Sequence, residues 1–232
     1  MDKPVPAAAS STQASEPSAR TVVLAGATGL VGRAILQGLL ADASVAAVHA
    51  LGRRPLTLQH LKLISHVVDF AALPPLPPVD EVYLALGTTI KIAGSQAAFR
   101  AVDFDASLAV ARAAQAAGAT RLGVVSAMGA NARSSIFYNR VKGEMEDALS
   151  AMGFDALVIA RPSLLTGDRE ALGQPMRSGE KFMMRAGAWL RPFIPANFKP
   201  IAADDVAAAL LTRVPLAQGR EVLLSGAMQS SA

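Results

Sequence analysis

The chain has 232 residues, enough for one large domain or a domain with a small appendage, and too few for two full domains. Hydrophobic residues make up 52% and charged residues 17%, which excludes a disordered chain, and zero cysteines exclude disulfides, thiolate metal sites and a cysteine nucleophile. The formal net charge of +4 is spread along the chain with only 5% aromatics, so it reads as a solvated surface, one that also suits an anionic ligand, and argues against a nucleic-acid partner.

Residues Met1 to Arg20 are rich in Ala, Ser and Pro. They lack the apolar stretch of a secretory signal and carry few basic residues for an organellar transit peptide, so a disordered tail is expected. Together with the absence of cysteine this fits a reducing compartment, and the expected location is cytoplasmic. No apolar run reaches the roughly 20 residues a spanning helix needs, so no membrane span is expected.

The first element is a short buried strand over Thr21 to Ala25, followed by Gly26-Ala27-Thr28-Gly29-Leu30-Val31-Gly32 and a helix from Leu30 to Leu40. Strand, glycine turn and helix make a phosphate cradle, because a helix N-terminus directs unpaired N–H groups and partial positive charge at the turn. The spacing is G-x-x-G-x-x-G, so a turn that merely packs helix on strand is the alternative. Ser44 to Leu51 predicts a second strand, closed by Gly52-Arg53-Arg54-Pro55. In a doubly wound fold this end lies beside the adenosine ribose, where arginine rather than an acid suits a 2′-phosphate; solvated loop arginines are the alternative. NADP(H) is therefore expected over NAD(H).

Leu63 to Phe70 predicts a third strand, with Asp69 either an adenine acceptor or a turn former. Asp80 to Leu86 predicts a fourth, followed by the Gly87-Thr88-Thr89 turn. One long Ala-rich helix, straight or bent, is expected over Gly94 to Gly118, then strand five over Arg121 to Ser126, a helix over Ser135 to Met152 and strand six over Phe154 to Ala160, closed by Arg161-Pro162-Ser163. The alternation predicts an α/β protein with a doubly wound, mostly parallel sheet. Residues 21–163 would form the core, and 164–232 an irregular region completing the same domain around a substrate pocket. In that region Gly167 to Gly179 reads as loop, Glu180 to Arg191 and Ala203 to Thr212 as helices, and Arg220 to Leu224 as a last strand. Lys181, Phe182, Met183, Arg185, Ala186, Trp189 and Leu190 make a basic amphipathic helix, read as a lid or partner surface, with peripheral membrane contact as the alternative. His49, His60 and His66 lack metal-ligand spacing and read as surface or packing residues.

Chemistry concentrates at Ser126, Tyr138 and Lys142. Tyr138 and Lys142 are four apart on a predicted helix, hence on one face, and Ser126 ends a strand at the edge where such sheets bind ligands. Carbonyl reduction needs a proton donor at the developing alkoxide. A neighbouring ammonium lowers a tyrosine's pKa toward that task, and a serine hydroxyl can hydrogen-bond the substrate oxygen. On an isolated helix the same spacing would be a packing ring and a solvated lysine; the glycine turn upstream favours the chemical reading.

Over roughly residues 20 to 225 the sequence resembles the short-chain dehydrogenase/reductase superfamily, in its extended or atypical branch. The resemblance runs from Gly26–Gly32 through Tyr138-Asn139-Arg140-Val141-Lys142 to Arg161-Pro162-Ser163. Leu86-Gly87-Thr88-Thr89, Val102-Asp103 and Tyr138 to Glu144 are similar to the group containing the human Tat-interacting protein and its bacterial relatives, described as NAD(P)-binding oxidoreductases. The resemblance implies a Rossmann-like fold and a small carbonyl or alcohol substrate. Gly26, Gly29 and Gly32 would line the pyrophosphate, with backbone donors from Thr28, Leu30 and Val31. Arg53 and Arg54 would meet the 2′-phosphate, Asp69 and Phe70 the adenine, and Leu86 and Gly87 the adenosine ribose side. Tyr138 would be the general acid, Lys142 would bind the nicotinamide ribose, Ser126 would polarise the carbonyl, and Pro162 and Ser163 would lie against the carboxamide. Two positions depart from the superfamily pattern: Asp103, Asp105 and Ser107 occupy the stretch where many members carry an active-site Asn, and Ser163 stands where relatives often have Gly. A non-catalytic NADP(H)-binding regulator is the rival expectation. A nucleotide-sugar epimerase or dehydratase would need more C-terminal chain than about 70 residues.

Overall fold

A computed structural model describes residues 19–166 and 195–229. Residues 1–18 of the tail, the loop expected over Gly167 to Gly179 and the basic amphipathic helix expected over Glu180 to Arg191 lie outside the described residues. Strand β1 spans Arg20–Ala25, helix α1 Leu30–Ala41, β2 Val45–Gly52, β3 Leu63–Val67 and β4 Glu81–Leu84. Next come α2 (Ile90–Ala93), α3 (Gln96–Arg100), a π-helical segment (Ala101–Ala106), α4 (Ser107–Ala116), β5 (Arg121–Val125), α5 (Phe137–Ser150) and β6 (Ala156–Arg161). The short β7 (Leu165–Thr166), a 3-10 turn (Ala196–Phe198) and β8 (Ile201–Ala202) precede α6 (Ala203–Arg213), β9 (Gly219–Leu224) and α7 (Ser225–Met228).

Seven strands form one parallel sheet in the order β3-β2-β1-β4-β5-β6-β9, reversing direction of winding between β1 and β4. This is the doubly wound sheet expected from the alternation, and β9 from the C-terminal third is one of its two outer strands, β3 the other. Beyond their first residues the central strands are mainly apolar, because both faces are covered. One core packs Val22 and Leu24 with Ile35 and Leu39 of α1 and Val206 and Leu210 of α6. The opposite core packs Val23, Val82 and Leu122 with Val110 and Ala114 of α4 and Met145 and Leu149 of α5.

Two details depart from the sequence reading. Arg20, counted with the tail, begins β1. Its guanidinium bridges the buried Glu81 at 2.8 Å and Asp42 at 2.6 Å, tying together the N-terminal ends of the central strands. The helix expected over Gly94 to Gly118 begins later and changes winding: Gly94 adopts φ +85 after α2, Ser95 starts α3 by accepting from the Ala98 N–H, and the run continues through a π turn into α4 without interruption. Gly118, at φ +103, ends α4 as the sequence suggests.

Candidate functional site

The site lies along the C-terminal edge of the sheet at the β1/β4 reversal, the crevice where open α/β sheets bind ligands. The three glycines of the first turn divide their work. Gly26 adopts φ +95, and a Cβ there would stand 2.4 Å from the Ala85 carbonyl oxygen. A Cβ on Gly32 would stand 2.0 Å from the Gly26 oxygen, so this glycine lets α1 press onto the strand end. At Gly29, by contrast, the nearest protein atom would be an ordinary 3.4 Å away. Packing therefore demands glycine at 26 and 32 but not at 29, where the missing side chain leaves room on the outer side of the turn. Helix α1 starts there with no side-chain cap and no acidic residue in its first turn. Its first N–H groups, at Leu30, Val31 and Gly32, have no intrahelical acceptor, so the turn fits a pyrophosphate.

At the end of β2, Arg53 and Arg54 are both exposed, and neither makes a hydrogen bond or ion pair among the described residues. Asp69 is exposed just beyond β3, and its Oδ1 accepts from the Ala71 N–H at 2.9 Å, the turn-forming role left open by the sequence. Phe70 leans on the core beside it. Leu86 and Gly87 follow β4, and the Thr88 N–H donates to Asp103 Oδ2 at 3.0 Å.

Helix α5 brings its first turn to this edge. The Tyr138 ring is half-buried and tilts on Phe99 of α3, with centroids 5.4 Å apart. Lys142 is buried one turn further on. Its Nζ lies 2.8 Å from Asp103 Oδ1 and donates to the Val125 carbonyl at 3.4 Å. Asp103 Oδ1 is buried, and the Lys142 ammonium is its charged partner. Burial opposes the charge on Lys142, yet Asp103, Tyr138 and Glu146 outweigh it and hold its pKa above the ordinary lysine value.

The rest of the Val141-Lys142-Gly143-Glu144 run is explained by packing. Val141 is buried, a Cβ at Gly143 would fall 2.1 Å from the Ala132 nitrogen, and Glu144 pairs with Arg100, whose guanidinium lies over Phe104. Gly143 thereby lets the loop after β5 sit against α5, where the Asn131 N–H donates to the Asn139 carbonyl at 3.0 Å.

Ser126 is placed differently from its expected role. It is buried, and its hydroxyl donates to Glu146 Oε1 at 2.5 Å. Glu146 also takes both arms of Arg161, with Nε at 3.0 Å and Nη2 at 2.5 Å. The serine proton is thus committed to a buried carboxylate two turns below Tyr138. Pro162 is buried, and its carbonyl accepts from the Met128 N–H at 3.1 Å. Ser163 donates to the Lys199 carbonyl and accepts from Ser225 at 2.9 Å, so its hydroxyl is engaged with the C-terminal segment.

The structure thus brings Gly26, Thr28, Gly29, Gly32, Leu86, Gly87, Tyr138 and Lys142 to one edge. Sequence reasoning missed the partnerships of Asp103, Phe99 and Glu146. Glu146 was findable, since it continues the Tyr138, Lys142 spacing by one more turn; Asp103 was visible in the Val102-Asp103 resemblance and as a departure, but not as the partner of Lys142. Of the histidines, His49 is buried with Nδ1 2.9 Å from His66 Nε2, a packing contact between neighbouring strands.

A reversing parallel sheet with a bare glycine-lined helix start, facing a tyrosine and a buried lysine, defines an NAD(P)-binding, Rossmann-like protein with an oxidoreductase-like fold. Residues 26–212 match the NAD(P)H-binding family, and the chain belongs to that family. A mitochondrial protein of Aspergillus terreus, fmp52-1, is 36% identical over 174 residues, covering 70% of this chain and 74% of its own. Candida albicans FMP52, also named mitochondrial, is 33% identical over 195 residues, covering 78% of this chain and 82% of its own. Among solved structures, a short chain dehydrogenase/reductase family oxidoreductase from Burkholderia thailandensis aligns with TM-score 0.66 at 18% identity, covering 90% of this chain and 92% of its own. MoeE5 in complex with UDP-glucose and NAD aligns with TM-score 0.65 at 18% identity, over 88% of this chain and 75% of its own. The superfamily resemblance read from the motifs is borne out at the level of fold and family. The expected cytoplasmic location is overturned, because these relatives are mitochondrial proteins by name. Missing cysteines and a weakly basic first segment report composition and carry no address.

Proposed function

We propose that the protein is an NADP(H)-dependent oxidoreductase that reduces a carbonyl, or oxidises the matching alcohol, with Tyr138 as acid/base and Lys142 beside it. The observation that carries this reading is the arrangement of a half-buried phenol one helical turn from a buried ammonium, at the sheet edge that also holds the glycine cradle. Gly26, Thr28, Gly29, Leu30, Val31 and Gly32 would hold the pyrophosphate, Arg53 and Arg54 the 2′-phosphate, and Phe70, Leu86 and Gly87 the adenosine. When bound, the nicotinamide supplies the hydride for reduction and accepts it for oxidation.

Tyr138 gives its phenolic proton to the carbonyl oxygen as the carbon gains hydride, leaving an alcohol and a phenolate that solvent reprotonates. Lys142 stabilises that phenolate through space. Ser126, bonded to Glu146, contributes by holding β5 against α5 and not by donating to substrate.

A second reading has a specific observation behind it. With the Ser126 proton committed to Glu146, the carbonyl oxygen would have one side-chain donor fewer than expected, which favours a protein that binds NADP(H) as a regulator without turnover. Titration with NADPH and NADH, followed by a panel of aldehydes and ketones monitored at the nicotinamide absorbance, separates the two. Turnover that disappears in Tyr138→Phe while NADPH binding persists supports the enzyme. Tight NADPH binding without turnover on a broad panel supports the regulator, and no binding of either nucleotide overturns both.

A further inference from the structure

Asp103 sits where a helical run changes its winding. The chain from Gln96 to Ala116 is helical throughout, but Ala101–Ala106 is wound as a π turn, a feature frequent at functional sites. Asp103 lies in that turn and is 1% exposed. One oxygen accepts from the Thr88 N–H at 3.0 Å, in the turn that follows β4, and the other stands 2.8 Å from Lys142 Nζ. Four residues earlier, Phe99 packs on the Tyr138 ring. A pair spaced by four on this run therefore meets the Tyr138, Lys142 pair on α5, ring to ring and carboxylate to ammonium.

We propose that Asp103 is a positioning residue that ties the Lys142 ammonium to the Thr88 turn and holds it beside Tyr138. The proposal rests on the reading of Tyr138 and Lys142 as an oxidoreductase site. A lysine as buried as Lys142 would shed its proton, or move to reach water, unless a counter-ion met it inside the protein. The groups facing it are few. Asp103 comes from the π turn, Tyr138 and Glu146 from its own helix, and the Val125 carbonyl from β5. Glu146 is already shared by Arg161 of β6 and, at 3.8 Å, Arg220 of β9, so its charge is largely spent. Asp103 is left as the carboxylate dedicated to Lys142. Because the same carboxylate holds the Thr88 N–H, the lysine and the turn beside the expected ribose keep one geometry.

The test follows the lysine directly. With lysines labelled at 13Cε and the Lys142 signal assigned from its absence in Lys142→Met, the wild-type resonance should remain that of an ammonium to a pH above the ordinary lysine value. In Asp103→Asn, which keeps the shape and removes the charge, it should titrate below that value. Turnover of Asp103→Asn should fall at least about tenfold, with NADPH affinity changed by less than about tenfold. A wild-type Lys142 that titrates at or below the ordinary value overturns the proposal even if the variant does not fold. So does an Asp103→Asn protein whose lysine titration and turnover match wild type. Failure of the wild type to bind NADPH is a different outcome: it overturns the oxidoreductase reading, and the positioning role with it, whatever the lysine does.

Discussion

The Ser126 hydroxyl donates to Glu146, at 2.5 Å, inside the layer between β5 and α5. A serine read from the motif as a substrate contact is in this geometry a clamp. Ser126→Ala removes one hydrogen bond to a buried carboxylate and should cost about 1–3 kcal/mol of folding stability. Turnover at a permissive temperature should stay within about threefold of wild type, far from the hundredfold or greater loss expected when an oxyanion donor is removed. Denaturant unfolding and steady-state kinetics on the same preparation check both; a hundredfold fall in kcat with unchanged stability would restore the substrate-contact role.

Arg53 and Arg54 bear on nucleotide choice. Both are exposed and without a partner among the described residues, so replacing both with Ala removes two guanidiniums from the end of β2 without breaking any bond described there. NADPH affinity should drop at least about tenfold, since hydrogen bonds to a charged phosphate are the strong class, while NADH affinity moves by less than about threefold. Equal loss for the two nucleotides, measured by fluorescence titration, would remove the 2′-phosphate assignment.

Gly32→Ala tests the close packing of the cradle. The added Cβ would lie 2.0 Å from the Gly26 oxygen and 2.7 Å from its carbonyl carbon, both backbone atoms that cannot swing away. The helix must lift, with a loss of about 1–3 kcal/mol and weaker binding of both nucleotides. Gly29→Ala should fold normally, because its Cβ meets nothing closer than 3.4 Å, and should weaken nucleotide binding alone. Reversal of that order in urea midpoints would refute the division of labour among the glycines.

Acid should act on His49. Burial first, and the neighbouring ring second, push the His49 pKa below the ordinary histidine value. A depressed folded-state value means that the unfolded chain takes up the proton more readily. The contribution to stability is therefore complete above about pH 6.5 and is lost as pH falls through the folded value. Melting temperature should decline over that window, and His49→Gln should flatten the decline; an unchanged slope would place the acid sensitivity elsewhere.

Much of this could be read from the chain itself. Period and punctuation located the strands of the parallel sheet to within a few residues, because strands buried on both faces are written as apolar runs closed by Gly, Pro or Asp. The spacing of Tyr138 and Lys142 put them on one helix face for the same local reason. What local pattern does not show is which distant group a side chain meets, as with Ser126 and Glu146. Over Gly94 to Gly118 the long helix, straight or bent, was legible, whereas the π winding at Ala101–Ala106 and the contact of Asp103 with Lys142 were not, because no local signal marks them.

By itself the sequence determined which segments are strands and helices, where the glycine cradle falls and which side chains are available at the ligand edge, since these depend on residues within a turn or two of one another. Only the tertiary structure decided the partners. Ser126 and Glu146 are 20 residues apart, Lys142 and Asp103 are 39 apart, and Ser163 reaches the Lys199 carbonyl 36 residues on. Whether a hydroxyl or carboxylate faces a substrate or another buried group depends on which donors and acceptors lose their water together when the layers close, and that is a property of the packed molecule.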